Sequence, residues 1–371
     1  MRVLMTTDPI GGVWNYTVEL CNALAAKRVQ VIVAVLGRFP SDTQRAQLRR
    51  LTNVYMCESS YKLEWMSDPW SDLDKAGDWL LSIERDAVVD VIHLNHLVHG
   101  DLPWRSPVLS VGHSCVLSWW AATQPRENPL PAEWNVYKRR VTDSLQAADC
   151  VVSPTEVMLS QLAGYYGPFR RSMSIPNARN RRHFRPGRKE ELIFSAGRLW
   201  DPAKNLQALA AVAPDLGAPV VVAGEVRSPH ANDTPANLPN TQMLGSLPEA
   251  ELADWYSRAA IYALPAHYEP FGLTALEAAL SGCALVLSDI PSLREVWGPA
   301  ARYVAPDDGE HLRDTLQEML ANEGLRRRFA ARSMAQARHY TPARQMHKYL
   351  ALYRMLIDSS GRSRMLRKYG G

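Results

Sequence analysis

The sequence predicts two doubly wound α/β domains, each built on a parallel sheet with helices on both faces. Three observations favour this class. The chain has 371 residues, too many for one ordinary domain and about right for two of roughly 180 residues each. Short apolar runs alternate with segments of helical periodicity, as in sheets joined by crossover helices. One basic, proline-bearing stretch, from Pro176 to Lys189, interrupts this alternation.

The first half opens with a strand, a tight turn, a helix and a second strand. Residues 2–5 form the expected strand, and the turn runs from Asp8 to Gly12. Side chains then recur at helical spacing from Val13 to Leu24, which predicts the first helix. Further strands are expected at residues 29–36, 89–94, 108–111 and 150–152, with a helix between 131 and 149.

The second half repeats the alternation, beginning with a strand at residues 192–196. We therefore place the domain boundary between residues 186 and 187, which gives domains of 1–186 and 187–341. The remaining strands are expected at 219–223, 261–264 and 284–287, and the helices at 249–258, 274–281, 310–321, 325–339 and 342–357.

Composition excludes several classes of protein. The five cysteines are an odd number without a C-x-x-C pair, so we expect neither a disulfide framework nor a zinc site. No apolar run reaches about 18 residues, and the N-terminal residues form no signal peptide, so we expect a soluble, cytoplasmic protein. A net charge of +4 is too small to indicate nucleic-acid binding.

Basic residues nevertheless concentrate in two segments. Two interpretations stay open: a solvated surface, or attraction to an anionic membrane face or a polyphosphate acceptor. The second would make the protein peripheral at the inner membrane face. The two basic segments contain Arg179, Arg181, Arg182, Arg185, Arg188 and Lys189, and then Arg362, Arg364, Arg367 and Lys368.

The most informative segment runs from His267 to Glu277, where a strand passes into a helix. Ligands of open α/β sheets bind at this carboxyl edge. Gly272 lets the backbone approach a ligand, and the free amides of the helix start favour phosphate or sugar oxygens. Glu269 and Glu277 would present two carboxylates suited to vicinal diols. Glu277 has a second interpretation, because Thr274-x-x-Glu277 is also the signature of a capping box.

The run from Glu269 to Glu277 resembles the E-x7-E motif of glycosyltransferase family 4, and the agreement continues through residues 278–283 and 288–295. The resemblance implies a retaining glycosyltransferase with the GT-B fold, two Rossmann-like domains facing each other across a cleft. The first domain would bind the acceptor and the second a nucleotide-sugar donor. The helix from about 342 to 371 would cross back to complete the first domain.

The same resemblance assigns roles to individual residues. Glu269 would contact donor-sugar hydroxyls beside the reacting face, and Glu277 would bind the ribose. The backbone of three residues between them would hold the donor sugar and diphosphate. Those residues are Phe271, Gly272 and Leu273.

A second motif extends from Gly197 to Asn205, again after a strand. Arg198 and Lys204 can neutralise a pyrophosphate whose charge grows as the glycosidic bond breaks. The segment resembles the G-R-L and K-N element with which the family binds the donor diphosphate. Five residues separate Arg198 from Lys204, where the family commonly has four, so the loop is expected to bulge.

The first domain offers weaker signals. Gly11 and Gly12 precede a helix, which any tight turn allows, while the resemblance implies that they face the donor phosphates. His113 resembles the family histidine that touches the donor sugar; a hydrogen-bonded loop histidine is the alternative. Trp119 and Trp120 follow it and are candidates for acceptor contact, with core packing as the alternative.

The resemblance further implies no metal and no cofactor beyond a UDP-, GDP- or ADP-sugar as co-substrate. The acceptor stays open among a glycan, a lipid and a small metabolite. No residue stands out as a nucleophile, so we expect front-face displacement rather than a covalent intermediate. Alternatives are a GT-B epimerase or phosphorylase and a non-catalytic sugar-nucleotide-binding subunit.

Overall fold

The computed structural model describes residues 1–125, 127–228 and 235–369, with only the backbone for 361–369. The chain forms two compact units. The first contains residues 1–120, 127–177 and those from 342 onward, and the second contains 121–125 and the described part of 178–341.

Each unit has one sheet in which every pair of neighbouring strands is parallel. The first sheet has the order β3-β2-β1-β4-β5-β6-β7 and the second β10-β9-β8-β11-β12-β13. The strands are β1 Arg2–Thr7, β2 Gln30–Val35, β3 Val54–Glu58, β4 Val91–Leu94, β5 Val108–Val111, β6 Cys150–Ser153, β7 Ser172–Ser174, β8 Glu190–Ala196, β9 Val220–Ala223, β10 Gln242–Met243, β11 Ala259–Leu264, β12 Ala284–Ser288 and β13 Arg302–Val304.

Helices form most of the crossover connections between these parallel strands, while β4 and β5 are joined by a loop. The predicted pair of doubly wound α/β domains is confirmed. The helices are α1 Gly12–Ala25, α2 Asp42–Arg49, α3 Trp70–Ala87, α4 Val116–Thr123, α5 Trp134–Ala147, α6 Glu156–Tyr166, α7 Leu206–Val212, α8 Glu249–Arg258, α9 Leu273–Leu280, α10 Pro291–Trp297, α11 Gly309–Ala321, α12 Glu323–Ala337 and α13 Pro342–Tyr369.

Both sheets reverse their winding once, and this places the loops that matter. In the first sheet β1 lies between β2 and β4, and in the second β8 lies between β9 and β11. The carboxyl ends of the two strands beside such a reversal border a crevice where ligands bind. Asp8 and Asn95 follow β1 and β4, while Gly197 and the 265–272 loop follow β8 and β11.

The long segment of the second unit begins at residue 178, nine residues before the expected start at 187. Residues 178–186 belong to it because three of their side chains, those of Ala178, Arg179 and Phe184, are buried. Phe184 packs at 6.1 Å from the ring of Tyr256, and the Arg179 side chain is 3% exposed. The boundary expected between residues 186 and 187 therefore lies inside a segment that packs with the second unit.

Helix α13 belongs to the core of the first unit. Its buried residues Tyr349, Leu352, Tyr353 and Leu356 share a cluster with α1 residues such as Leu20. The first sheet, α1 and α13 therefore contribute side chains to the same apolar core. The side chains of the second basic segment, from Arg362 to Lys368, lie outside the described residues.

Candidate active site

In the second unit the two motif loops are bound to each other at the reversal between β8 and β11. The amides of His267 and Tyr268 both donate to the carbonyl oxygen of Ala203, at 2.9 and 3.2 Å. Lys204 Nζ lies 2.7 Å from Glu269 Oε2, and both side chains are 13% exposed. Motifs that are 65 residues apart in sequence thus form one site.

Glu269 is held as a carboxylate. Its Oε1 accepts from the amides of Phe271 at 3.3 Å and Gly272 at 2.8 Å. Burial alone would raise the pKa of Glu269, but Lys204 and these two amides outweigh it and leave the pKa below its ordinary value. The Phe271 and Gly272 amides, expected to hold the donor sugar and diphosphate, therefore donate to Glu269 in this structure.

Arg198 is fixed by its own loop. Its Nη2 lies 2.5 Å from Oδ2 of Asp201, and its guanidinium stacks 5.3 Å from the Trp200 ring. The other Asp201 oxygen caps a 3-10 turn at Pro202–Lys204 through the Ala203 amide. The five residues between Arg198 and Lys204 therefore include the start of a 3-10 turn. Arg198 remains 38% exposed and can meet an anion.

Gly224 packs closely against the backbone of the same loop, and the sequence analysis did not identify it. An ideal Cβ on Gly224 would lie 1.6 Å from the carbonyl oxygen of Gly197. The Gly197 amide donates to Ala223, which fixes the approach. Only glycine allows this close approach. No local sequence pattern indicates the role of Gly224, because the contact joins two loops that are separated in sequence.

Glu277 is paired inside the unit. Arg179 Nε lies 2.7 Å from Glu277 Oε1, and Arg179 Nη2 lies 2.6 Å from Glu249 Oε2. Burial raises the pKa of Glu277 above its ordinary value even though Arg179 opposes the shift. The side chain of Glu277 is 3% exposed.

The capping-box interpretation of Glu277 is wrong. Helix α9 begins at Leu273 with Gly272 as its N-cap at φ 86°, so Glu277 lies beyond the first turn. The Thr274 hydroxyl instead accepts from the Tyr262 hydroxyl at 2.7 Å. The glycine conformation starts the helix one residue before the expected Thr274.

In the first unit, Gly11 is the N-cap of α1 at φ 75°, a conformation that favours glycine, and Gly12 begins the helix. Asp8 closes the preceding turn by accepting from the Ile10 amide at 2.8 Å. Its second oxygen lies 3.6 Å from His96 Nε2. Asp8 follows β1 and His96 follows β4. Their contact therefore holds the turn beside the point where the first sheet reverses its winding.

His113 follows β5 and is half-buried. Its Nε2 lies 2.9 Å from Oδ1 of Asn95, and its ring meets Tyr16 edge-on at 4.5 Å. Burial, aided by the charge of His96, lowers the pKa of His113 to about 3. The imidazole is therefore neutral at physiological pH. His93, on the neighbouring strand β4, is fully buried.

Trp119 and Trp120 lie in α4 and are both half-buried. The Trp120 Nε1 donates to the Asn128 carbonyl at 3.2 Å. The two rings thus keep some exposed surface next in sequence to the His113 loop. Their role toward an acceptor stays a prediction.

The first basic segment does not form a uniform surface. Arg179 turns inward, and Lys189 donates to the carbonyl oxygens of Tyr256 and Ser281. All five cysteines are free thiols. In the part of the chain that the structure describes, no helix is long and apolar enough to cross a membrane, and no acidic, histidine or cysteine group could hold a metal.

Comparison with family models gives two matches. The model described as "Glycosyl transferases group 1" matches residues 177–336. The model described as "Glycosyltransferase Family 4" matches residues 10–182. The matched segments together contain every motif residue discussed above.

Curated relatives are similar over parts or most of their length. O-antigen chain mannosyltransferase B of Escherichia coli is 34% identical over 98 residues, 26% of each chain. The chain thus aligns with only about a quarter of that relative's length. D-inositol 3-phosphate glycosyltransferase of Xylanimonas cellulosilytica is 26% identical over 90% of this chain and 89% of the relative.

Solved structures share the fold at low identity. Sucrose-phosphate synthase from Thermosynechococcus elongatus superposes with a TM-score of 0.82 at 18% identity, covering 97% of this chain and all of that one. Anabaena HepE, solved in complex with UDP-glucose, superposes with a TM-score of 0.74 at 13% identity, covering 95% and 99%.

Proposed function

The chain belongs to the group 1, family 4 glycosyltransferases with the GT-B fold, and from this we propose that it transfers a sugar from a nucleoside-diphosphate donor with retention of configuration. Anabaena HepE binds UDP-glucose, which supports a donor of this class. The acceptor is a hydroxyl of a glycan, a lipid or a small metabolite.

The observation that carries the proposal is the contact between Lys204 and Glu269 at the reversal of the second sheet. It brings a cation and a carboxylate together where α9 begins, so a diphosphate and sugar hydroxyls find complementary groups in one place. Arg198 stands on the same loop as Lys204 and adds a second cation. Both positive charges stabilise a departing diphosphate.

For catalysis we propose front-face displacement. The bond from the anomeric carbon to the diphosphate oxygen breaks while the acceptor oxygen bonds to the same face of that carbon. The acceptor proton passes to the departing phosphate oxygen. Glu269 orients the donor sugar rather than attacking it, because Lys204 neutralises its negative charge.

Other roles follow the family pattern. His113 contacts the donor sugar, and the turn at Gly11 and Gly12 faces the donor phosphates. The Phe271, Gly272 and Leu273 amides take up phosphate or sugar oxygens when Glu269 turns to the sugar. Glu277 binds the ribose, and Arg179 lies between Glu277 and Glu249 beside that contact. Trp119 and Trp120 contact the acceptor.

A thermal-shift screen with UDP-, GDP- and ADP-sugars tests the proposal. One nucleotide class is expected to raise the melting temperature of the wild type, and less so that of Arg198→Ala. Arg258→Ala is the matched control, because Arg258 forms exposed ion pairs with Glu190 and Asp254 outside the motif loops. If no sugar nucleotide shifts the wild type, the proposed donor class is wrong.

A further inference from the structure

His113 does not stand alone in the first unit; it ends a chain of buried hydrogen bonds. Its Nε2 and the Nε2 of His93 both contact Oδ1 of Asn95, at 2.9 and 3.2 Å. The other nitrogen of His93 contacts the Tyr353 hydroxyl at 2.6 Å. His93 and Tyr353 are fully buried, and Asn95 is 5% exposed.

The direction of each hydrogen bond follows from one fixed point. Asn95 Nδ2 lies 2.8 Å from the carbonyl oxygen of Thr6, which can only accept, so the amide nitrogen must face it. Asn95 Oδ1 is consequently the acceptor for both imidazoles. Because both histidines are neutral, His113 and His93 each carry their single proton on Nε2.

The remaining nitrogens are then lone-pair acceptors. Nδ1 of His93 accepts from the Tyr353 hydroxyl, which closes the chain on α13. Nδ1 of His113 contacts no donor among the residues that the structure describes. The half-buried His113 ring thus offers one hydrogen-bond acceptor and no free donor at that position.

We propose that Asn95 is a positioning residue that fixes His113 in the Nε2–H tautomer, so that His113 recognises a donor-sugar hydroxyl by accepting its proton in a hydrogen bond. This inference rests on the proposed contact between His113 and the donor sugar. It selects a hydroxyl over any substituent that cannot donate. A fluorine or a hydrogen at the recognised carbon loses the interaction.

The tautomer is tested first, without substrate. Nitrogen NMR of histidine-labelled protein separates protonated from unprotonated ring nitrogens, and His113→Gln identifies the signals by their loss. We expect a protonated Nε2 and an unprotonated Nδ1 in the wild type and a mixture in Asn95→Ala. Asn53→Ala is the control, since Asn53 is an equally buried amide that bonds to Cys21 and Val29. A protonated Nδ1 in the wild type, or an unchanged tautomer in Asn95→Ala, overturns the proposal.

Asn95→Asp guards against a variant that loses its fold. A carboxylate still accepts from Nε2–H, so the tautomer is expected to persist while the titration of His113 moves to higher pH. The dispersion of the same spectra reports whether each variant is folded. Loss of the tautomer in a folded Asn95→Asp would count against the role of Asn95 as acceptor.

Deoxyfluoro donors test the recognition. Replacing one sugar hydroxyl by fluorine should lower kcat/KM of the wild type by roughly fivefold to tenfold through this contact. The same replacement should have no further effect in His113→Ala and a reduced effect in Asn95→Ala. If every fluorine penalty is unchanged in His113→Ala, recognition by His113 fails, while the NMR result separately decides the positioning by Asn95.

Discussion

Arg179 Nε lies 2.7 Å from Glu277 Oε1, and each side chain is only 3% exposed. Arg179 also reaches Glu249, whose other oxygen contacts His183 at 2.6 Å. Although burial opposes its ionisation, the contacts with His183 and Arg179 lower the pKa of Glu249 to about 2. One buried cation therefore holds two carboxylates, one of them the second glutamate of the E-x7-E motif.

Removing that cation is expected to destabilise the second unit. Arg179→Met leaves Glu277 buried without its partner, which costs about 3–5 kcal/mol in the free energy of unfolding. Adding Glu277→Gln to the same chain should restore part of the loss, because no uncompensated charge remains. Urea unfolding measures both. Arg258→Met, which breaks exposed ion pairs, should cost less than about 1 kcal/mol; an equal cost in both single variants would contradict this account.

Lys204→Met is expected to impair transfer. The variant removes a cation from the proposed diphosphate site, so kcat/KM for the donor should fall about 100-fold to 1000-fold. It also leaves Glu269 without its ion-pair partner, so the melting temperature is measured alongside the kinetics. Lys348→Met, at an exposed position on α13, is the control and should retain activity. A full-activity Lys204→Met enzyme would remove Lys204 from the mechanism.

Gly224→Ala is expected to disturb the motif loop from beneath. The new Cβ would lie 1.6 Å from the Gly197 carbonyl oxygen, so the backbone before Arg198 must move. Donor affinity and unfolding free energy should both fall. Gly217→Ala is the matched control, since Gly217 has φ +64° but nothing within 4 Å, and strain alone costs about 1–2 kcal/mol. Equal donor affinity in the two variants would refute the link to the loop.

The first unit is expected to lose stability in mild acid. Burial lowers the pKa of His93 and His113 to about 3 and that of His99 to about 4. Below the ordinary histidine pKa of 6.5 the unfolded chain binds protons that the folded chain does not, so unfolding becomes easier as pH falls. Each histidine contributes about 1.4 kcal/mol per pH unit in that range.

Urea unfolding between pH 7 and pH 5 measures how the free energy of unfolding changes with pH. His99 contacts the Leu73 carbonyl through Nε2, and His99→Gln keeps a donor there while removing the titration. Unfolding of His99→Gln should take up about one proton fewer than unfolding of the wild type. A wild-type stability that does not change across this range would show that these histidines are protonated in the folded protein.

The architecture was predictable because it depends on local patterns. Buried parallel strands appear as continuous apolar runs, and the loops after β8 and β11 were recognisable as strand-to-helix transitions. The convergence of Lys204 with Glu269 follows from that topology together with the family motifs. The family itself was correctly indicated by the same motifs.

What the sequence did not reveal depends on distant partners. Arg179 stands in a run of basic residues with no periodicity, so nothing local marks it as the one that turns inward. The start of α9 was misplaced because the conformation of Gly272 decides it. The bond between His93 and Tyr353 joins positions 260 residues apart, and the Gly224 approach joins two loops. Such contacts are visible only in the folded structure, because their partners are distant in sequence.

The placement of α13 in the first core also sets the order in which the protein can mature on the ribosome. Tyr349 and Tyr353 are synthesised only after both segments of the second unit, residues 121–125 and 178–341. At about 5–20 residues per second, α1 and its sheet wait roughly ten to thirty seconds with an apolar face uncovered. During that interval the uncovered apolar face is open to aggregation, and His93 receives its last hydrogen bond only after Tyr353 has been synthesised.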